Sequence, residues 1–374
     1  MNLSLLRPLY ERPGPWASVY LDASRNSENG EVEVELRWRA LRESLIGQGA
    51  DPSTVAALDD AVLAQPPLPG NHGLALFGSH GQVALTMPLS GPPRTEIAAW
   101  GPLPHAMPMV AQRGEEISWL RVIADRTGAD LEAPTAGGIP RREEVRGSED
   151  FLIRKVKLGG WSQLRFQHAV EENWQRNAED VAAAAARVGD EIGAEVMIVG
   201  GDVRAVQLIV ERLPARWRDR VVRTEAGSRA AGADNTPLDE VTILAVSEVA
   251  ERHNREVLDR FMSQYGNDMA AGTGLAAVVA ALQRGQVDTV LIVDDPSANG
   301  ELWIGPKPNQ LAYTAEDVRA MGVSSPQRTR ADAALLRAVT LTDARLVLVG
   351  PGEAPLSGGV GAVLRYADAS TRHR

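Results

Sequence analysis

Apolar and polar positions recur along this chain in two rhythms, one of two residues and one of about 3.6. Trp16-Ala17-Ser18-Val19-Tyr20-Leu21 predicts an opening strand. From Glu31 to Ile46 the residues Val34, Leu36, Trp38, Leu41 and Leu45 return mostly to one face with charges between them, which predicts a helix. Gly73 to Gly78 and Gln82 to Leu85 are short apolar strands on either side of Ser79-His80-Gly81, a predicted hairpin. Pro66 to Asn71 is a loop, and Gly101-Pro102-Leu103-Pro104 with Pro108 predicts a linker.

A second segment opens with the strand Ser118 to Asp125 and the turn Arg126-Thr127-Gly128. The stretch from about Glu132 to Leu158 is poor in apolar residues, a composition that predicts mobility. Beyond it Phe166, Val170, Trp174, Ala178 and Val181 recur at helical spacing, and Ala182 to Ala186 continue the helix. That spacing assigns Trp174 to a core. Glu195 to Gly201 is an unbroken apolar strand of the kind found in buried parallel sheets. Val203 to Leu213 is a helix stopped by Pro214, and Arg220-Val221-Val222 is another strand. A third segment carries a helix from about Leu238 to Tyr265, a helix from Thr273 to Gln283 and a strand from Asp288 to Val293. A helix from Ala331 to Thr340 and a strand from Arg345 to Gly350 follow, and Gly358 to Tyr366 closes the chain as an expected edge strand. The alternation predicts an α/β fold.

Charge and composition narrow the function classes. The 374 residues hold 39 basic and 49 acidic side chains, a net charge of −10, which weakens a general nucleic-acid coat while leaving room for a local basic patch. With no cysteine there is no disulfide, thiolate chemistry or Cys-ligated zinc. The start, Met1 to Pro8, lacks the pattern of a signal peptide, and no apolar run approaches the roughly 18 residues of a membrane span. The expectation is a soluble, cytoplasmic protein. No two of His72, His80, His105, His168, His253 and His373 lie at metal-ligand spacing, so neither metal nor cofactor is expected.

The densest information lies in Lys157-Leu158-Gly159-Gly160-Trp161-Ser162-Gln163-Leu164-Arg165-Phe166, two adjacent glycines running into a helix that should start near Ser162. Gly159 and Gly160 allow close backbone approach to a partner. Arg154, Lys155, Lys157 and Arg165, with Arg141, Arg142 and Arg146 upstream, make a local basic excess suited to phosphates. Trp161 is suited to stacking on an unpaired base, worth about 1–3 kcal/mol, and equally to packing beneath its own loop. The basic residues also fit a plain solvated face, and Arg165 and Glu171 also fit a purely helical role. Gly200-Gly201 and Gly272-Thr273-Gly274 lack a Walker pattern or a full dinucleotide fingerprint. Asp294-Asp295 reads as a loop cap before it reads as a Mg²⁺ site.

Gly159-Gly160-Trp161-Ser162-Gln163-Leu164-Arg165-Phe166 resembles the Gly-Gly-Gln-Ser-x-x-Arg-Phe loop and helix of the archaeo-eukaryotic peptide-chain release factor and Pelota superfamily. Val122 to Ala129 is similar to the first strand and turn of that family's middle domain, Ala281 to Val290 to a helix and strand of its last domain, and Gly358 to Tyr366 to its closing strand. The resemblance spans roughly residues 115 to 366 and points to the actinobacterial branch that includes Balon-type ribosome hibernation factors. It implies a three-domain α/β architecture with mixed sheets covered by helices and a ribonuclease-H-like middle domain. The implied divisions are 1–110 toward the decoding centre, 111–247 with the Gly-Gly-Trp loop toward the peptidyl-transferase centre, and 248–374 facing a GTPase. The implied partners are ribosomal RNA of both subunits and elongation factor Tu, with the protein acting as a monomer and away from membranes.

The family places a glutamine where this chain has Trp161. An indole offers one N–H donor and no acceptor, so it cannot position the water that attacks peptidyl-tRNA. The expectation is a non-catalytic factor that fills the aminoacyl-tRNA site of idle ribosomes, with Gly159, Gly160, Trp161, Ser162, Gln163 and Arg165 at the RNA. The alternatives are a rescue hydrolase, an RNA nuclease built on clustered carboxylates with Asp125 and Asp202 as candidates, and a stress-signalling adaptor that binds no RNA.

Overall fold

The computed structural model describes the chain apart from residues 2, 28, 67–69, 135–140, 147–159, 267–270, 296–299 and 367–374; for 160–170 and 266 it describes the backbone alone. The fold is mixed α/β with four sheets among the described residues. Two compact units form: Met1–Glu116 together with Asn254–Arg374, and Ile117–His253.

The chain begins with a short helix, α1 (Arg7–Tyr10), and the strand β1 (Trp16–Asp22). Helices α2 (Gly30–Gly47) and α3 (Pro52–Leu63) precede strands β2 (Gly73–Ser79), β3 (Gln82–Leu89) and β4 (Ile97–Gly101), and α4 (Met107–Arg113) follows. Helix α3 starts where it does because the Asp51 carboxylate accepts the backbone N–H groups of Ser53 and Thr54, at 3.4 and 3.0 Å, with Pro52 in the first turn. The sheet is antiparallel in the order β3-β2-β1-β4. One face, with Val19, Leu21, Leu74 and Leu76, buries the apolar stripes of α2 and α3. The expected linker at Gly101 to Pro108 is instead ordered core. Tyr20 Oη donates to the His105 carbonyl (2.8 Å), His105 N–H donates to Ser18 Oγ (2.9 Å), and Met109 is fully buried. Proline there sets the entry to α4, a position helices accept.

The middle unit is built on β5 (Trp119–Asp125), β6 (Gly128–Ala133), β7 (Arg141–Arg146), α5 (Gly160–Ile192), β8 (Val196–Gly201), α6 (Val203–Arg212), β9 (Val221–Arg223) and the first part of α7 (Thr236–Gly266). Its sheet runs β7-β6-β5-β8-β9, antiparallel over β7-β6-β5 and parallel over β5-β8-β9. Helices α5 and α6 cover one face through Val181, Ala185, Val206 and Ile209, and α7 covers the other through Leu238, Ala245 and Val249. Part of the stretch expected to be mobile is strand: Arg141 to Arg146 pairs residue by residue with Ala133 to Gly128. Its side chains are polar because it is an edge strand, where charge is tolerated.

The last third holds β10 (Ala271–Thr273), α8 (Leu275–Gln283), β11 (Val287–Val293), β12 (Glu301–Ile304), β13 (Leu311–Ala312), α9 (Ala315–Ala320), β14 (Gln327–Arg330), α10 (Ala331–Leu341), β15 (Arg345–Val349) and β16 (Val360–Leu364). Strand β16 is not at an edge. It lies antiparallel between β10 and β11 in the order β10-β16-β11-β15, with every residue from Val360 to Leu364 buried. Its unbroken apolar run is the mark of an interior strand. Strands β12, β13 and β14 form a separate small sheet. The first and last thirds share one buried core, in which Leu6, Leu9, Tyr20, Phe77 and Met109 lie in one cluster with Val278, Leu282, Leu336 and Leu346.

Candidate nucleic-acid interface

The parallel pair β5 and β8 ends on two aspartates. Ala124 stands opposite Gly201, so Asp125 and Asp202 are at neighbouring strand ends. Asp202 N–H donates to the Ala124 carbonyl at 2.9 Å. Gly201 sits at φ +115°, and a Cβ there would lie 2.1 Å from the Ala124 oxygen, so only glycine makes this crossing. Asp202 caps α6, accepting from Arg204 and Ala205 N–H at 3.0 and 3.1 Å, and its second oxygen accepts from Arg126 Nε at 3.2 Å. Asp125 accepts from Thr127 N–H (2.7 Å), Thr127 Oγ1 (2.6 Å), Gly128 N–H (3.0 Å) and Arg229 (3.0 Å). Burial acts to raise the Asp125 carboxyl, but the Thr127 hydroxyl and amide and the Arg229 charge outweigh it and hold it below its ordinary value.

Trp174, on α5, is half-buried rather than in the core that its spacing predicted. The guanidiniums of Arg126 and Arg204 lie over its ring at 4.8 and 5.0 Å from the centroid. Each such contact contributes about 0.5–1 kcal/mol at an exposed site. Both arginine side chains remain more than half exposed, at 56% and 54%. Together with Asp125 and Asn177 they line a shallow cleft at the carboxyl ends of the parallel strands. The stack holds both guanidiniums in place, and each is also ion-paired, Arg126 with Asp202 and Arg204 with Glu171, so the patch offers a phosphate backbone positioned donors with little net positive charge. Sequence spacing missed this cluster because Trp174 falls on the same helical series as residues that are core. The signal that could have found it is an arginine close after the aspartate at each strand end, Arg126 next to Asp125 and Arg204 two residues beyond Asp202.

Arg229 is the hub beside it. Its side chain is 13% exposed and meets Asp125 at 3.0 Å, Asp130 at 3.2 Å and Glu144 at 3.2 Å. A guanidinium therefore occupies the centre of these carboxylates, and among the described residues no group of three or more metal-ligating side chains is placed to hold an ion.

The predicted site residues divide into three sets. Arg154, Lys155, Lys157 and Gly159 lie outside the described residues. Gly160, Trp161, Ser162, Gln163 and Arg165 lie on α5, whose helical backbone begins at Gly160. The helical backbone thus already includes Gly160 and Trp161, ahead of the start expected near Ser162. Arg141, Arg142 and Arg146 stand on the edge strand β7, brought to one strand as their spacing allows. Each pairs with carboxylates: Arg141 with Glu191 (3.2 Å) and Glu143 (3.5 Å), Arg142 with Glu132 (2.9 Å), Arg146 with Glu144 (2.9 Å). The basic excess along this strand is accordingly smaller than a count of arginines gives.

A mixed sheet with helices on both faces defines the middle unit as α/β. Residues 118–267 match bacterial archaeo-eukaryotic release factor family 2. Two Mycobacterium tuberculosis proteins described as uncharacterized, MT2704 of strain CDC 1551 and Rv2629 of strain H37Rv, are each 30% identical over 373 residues, covering 98% of this chain and 97% of the relative. The chain belongs to one family with these two proteins, and its middle unit carries the release-factor family 2 match. Similar solved structures include archaeal translation termination factor aRF1 (16% identity, 97% of this chain and 96% of that one, TM-score 0.25). Archaeoglobus fulgidus Pelota is 13% identical over 80% of each chain with a TM-score of 0.36. Saccharomyces cerevisiae Dom34 is 9% identical over 80% of each chain with a TM-score of 0.41. The family assignment rests on the sequence matches alone. No helix among the described residues is long and apolar enough to cross a membrane.

Proposed function

We propose that this protein is a non-hydrolytic ribosome-binding factor that occupies the aminoacyl-tRNA site and holds idle ribosomes inactive. The observation that carries the reading is Trp161 at the position where the resemblance puts glutamine, at the opening of α5. Peptide release requires a water held against the ester carbon. An indole in that place supplies a donor and bulk, with no acceptor to orient the water. What remains is an indole suited to stacking, flanked in sequence by Lys157 and Arg165, with the stacked and carboxylate-paired guanidiniums of Arg126 and Arg204 as further donors on the same unit. The nuclease alternative finds less support, because Asp125 is held by Arg229 and Asp202 by Arg126 and by the α6 cap. The reading includes a translational GTPase, elongation factor Tu, as companion.

The test pairs two assays on purified ribosomes. In the first, wild type co-sediments with 70S particles, and the Trp161→Ala, Lys157→Ala double variant dissociates at lower salt, because phosphate contacts weaken steeply with ionic strength. In the second, wild type frees no nascent chain from peptidyl-tRNA. Peptide release by wild type sinks the reading, and so does failure to sediment with ribosomes at any salt concentration.

A further inference from the structure

The unit formed by the first and last thirds of the chain contains a cavity of about 370 Å³ that no part of the translation-factor reading uses. This volume lies within the range of small-molecule sites, about 300–1,000 Å³. It opens where ligands gather in α/β sheets, outside the carboxyl ends of parallel strands. Here those strands are β11, which contributes Ile292 and Val293 and runs on to Asp294 and Asp295, and its parallel neighbour β15, which contributes Leu348. The opposite wall is the edge strand β4, with Ile97 and Ala99, and the start of α4, with Met107.

The polar groups are concentrated and carry both signs. Arg94 donates through Nη1 to Asp294 at 2.6 Å while its side chain stays 66% exposed, which leaves the rest of the guanidinium fork at the rim. Arg330 and Asp332 form a second pair at 2.8 Å. His105 lines the same space, with Nδ1 3.8 Å from the Asp332 carboxylate, sealed from solvent and without a hydrogen-bond partner. Burial lowers the His105 pKa more than Asp332 raises it, so the ring is neutral near pH 7 and adds no positive charge. Three aspartates, Asp294, Asp295 and Asp332, then face two arginines, Arg94 and Arg330. This acidic surplus opposes a phosphate or nucleotide. It favours a molecule that brings its own positive charge, with a carboxylate for the guanidinium at the rim and an apolar body for the walls. Among the described residues the carboxylates do not form a metal site.

We propose that this cavity binds a free α-amino acid with an apolar side chain, its ammonium group between Asp294 and Asp332, its carboxylate on Arg94, and its side chain against Ile97, Met107 and Leu348. Both ends of the ligand meet a fixed opposite charge, so recognition needs the zwitterion and not one half of it.

The test uses the full-length protein in scanning fluorimetry and isothermal titration calorimetry near neutral pH. The probes are L-leucine, L-methionine and L-phenylalanine. Isocaproate, which lacks the amine, and adenosine monophosphate serve as comparison ligands. The amino acids raise Tm and give saturable heat, whereas isocaproate and adenosine monophosphate do neither. Asp294→Asn weakens the amino-acid affinity about tenfold through loss of one charge-assisted contact. Ala99→Phe, which fills the cavity, abolishes the heat. Should Ala99→Phe fail to fold, Asp294→Asn carries the test, because its carboxylate sits on a loop after the strand. The proposal is overturned if no amino acid shifts Tm, if isocaproate or adenosine monophosphate binds in their place, or if binding survives Asp294→Asn undiminished.

Discussion

Replacing Gly189 by alanine sets two known effects against each other within α5. In an unobstructed helix interior, glycine to alanine stabilises by roughly 1 kcal/mol. At this position a Cβ would lie 2.6 and 2.7 Å from Cζ2 and Cη2 of Trp217. That indole cannot withdraw. It is 2% exposed and lies in the core beneath α5 and α6, and the residue is anchored by its backbone N–H, which donates to the Pro214 carbonyl at 2.9 Å. Overpacking a closed core costs about 1–3 kcal/mol, and two contacts below 3 Å put this one near the upper end. The net expectation is destabilisation by ~2 kcal/mol, a fall in Tm of roughly 2.5 °C for a protein of this size. Gly47, the last residue of α2, has nothing within 4 Å of its absent Cβ, so Gly47→Ala is the matched control and is neutral or stabilising. Trp217→Phe removes the two clashing atoms, so the double variant Gly189→Ala, Trp217→Phe costs less than the sum of the single changes. Urea and thermal denaturation read all four proteins. A Gly189→Ala protein as stable as wild type or more so refutes the reasoning, and the seating of α5 on Trp217 with it.

Three further outcomes follow from the same structure. Arg229→Met lowers Tm at neutral pH by leaving Asp125, Asp130 and Glu144 facing one another; because the Asp125 carboxyl is held below its ordinary 3.8, the stability it contributes above that pH is lost as pH falls, so the deficit narrows on acidification, and a deficit independent of pH contradicts the hub. His105 has a folded-state pKa below its ordinary 6.5, so the unfolded chain takes up the proton first and stability declines as pH drops through 6.5; His105→Phe flattens that decline, and an unchanged slope of Tm against pH speaks against a buried neutral ring. Arg126→Ala with Arg204→Ala leaves the fold in place and lowers the salt concentration at which the protein leaves ribosomes, whereas unaltered sedimentation removes the Trp174 patch from the interface.

Elements whose period is uninterrupted were legible in the sequence. Helix α2 and strands β1, β8 and β11 fall within one residue of their expected bounds, because each buries a continuous stripe or run. Strand β7 was not legible: Arg141 to Arg146 join the sheet through backbone pairing and charged side chains, with no apolar alternation, and an edge strand imposes little on its side chains. Helix α3 was passed over although Asp51-Pro52-Ser53-Thr54 is a capping signal ahead of Val55, Leu58 and Val62. The segment around Pro102 and Pro104 read as a linker because proline is a poor guide to burial; the bonds of Tyr20 and Ser18 to His105 are tertiary and leave no periodic trace. At the candidate site the basic residues were visible but their partners were not. Arg141 meets Glu191 from another element, and Arg229 meets Asp125 across a hundred residues of chain. Trp174 shows the limit most clearly, since helical spacing says which face a residue shares and not whether that face is covered at its end.

The most direct measurement is an electron cryomicroscopy map of this protein bound to 70S ribosomes. The account predicts density in the aminoacyl-tRNA site, with the Gly160-Trp161 end of α5 at the peptidyl-transferase centre and an intact ester on any peptidyl-tRNA alongside. A map with the protein bound elsewhere on the ribosome, or with that end of α5 pointing away from the catalytic centre, contradicts it.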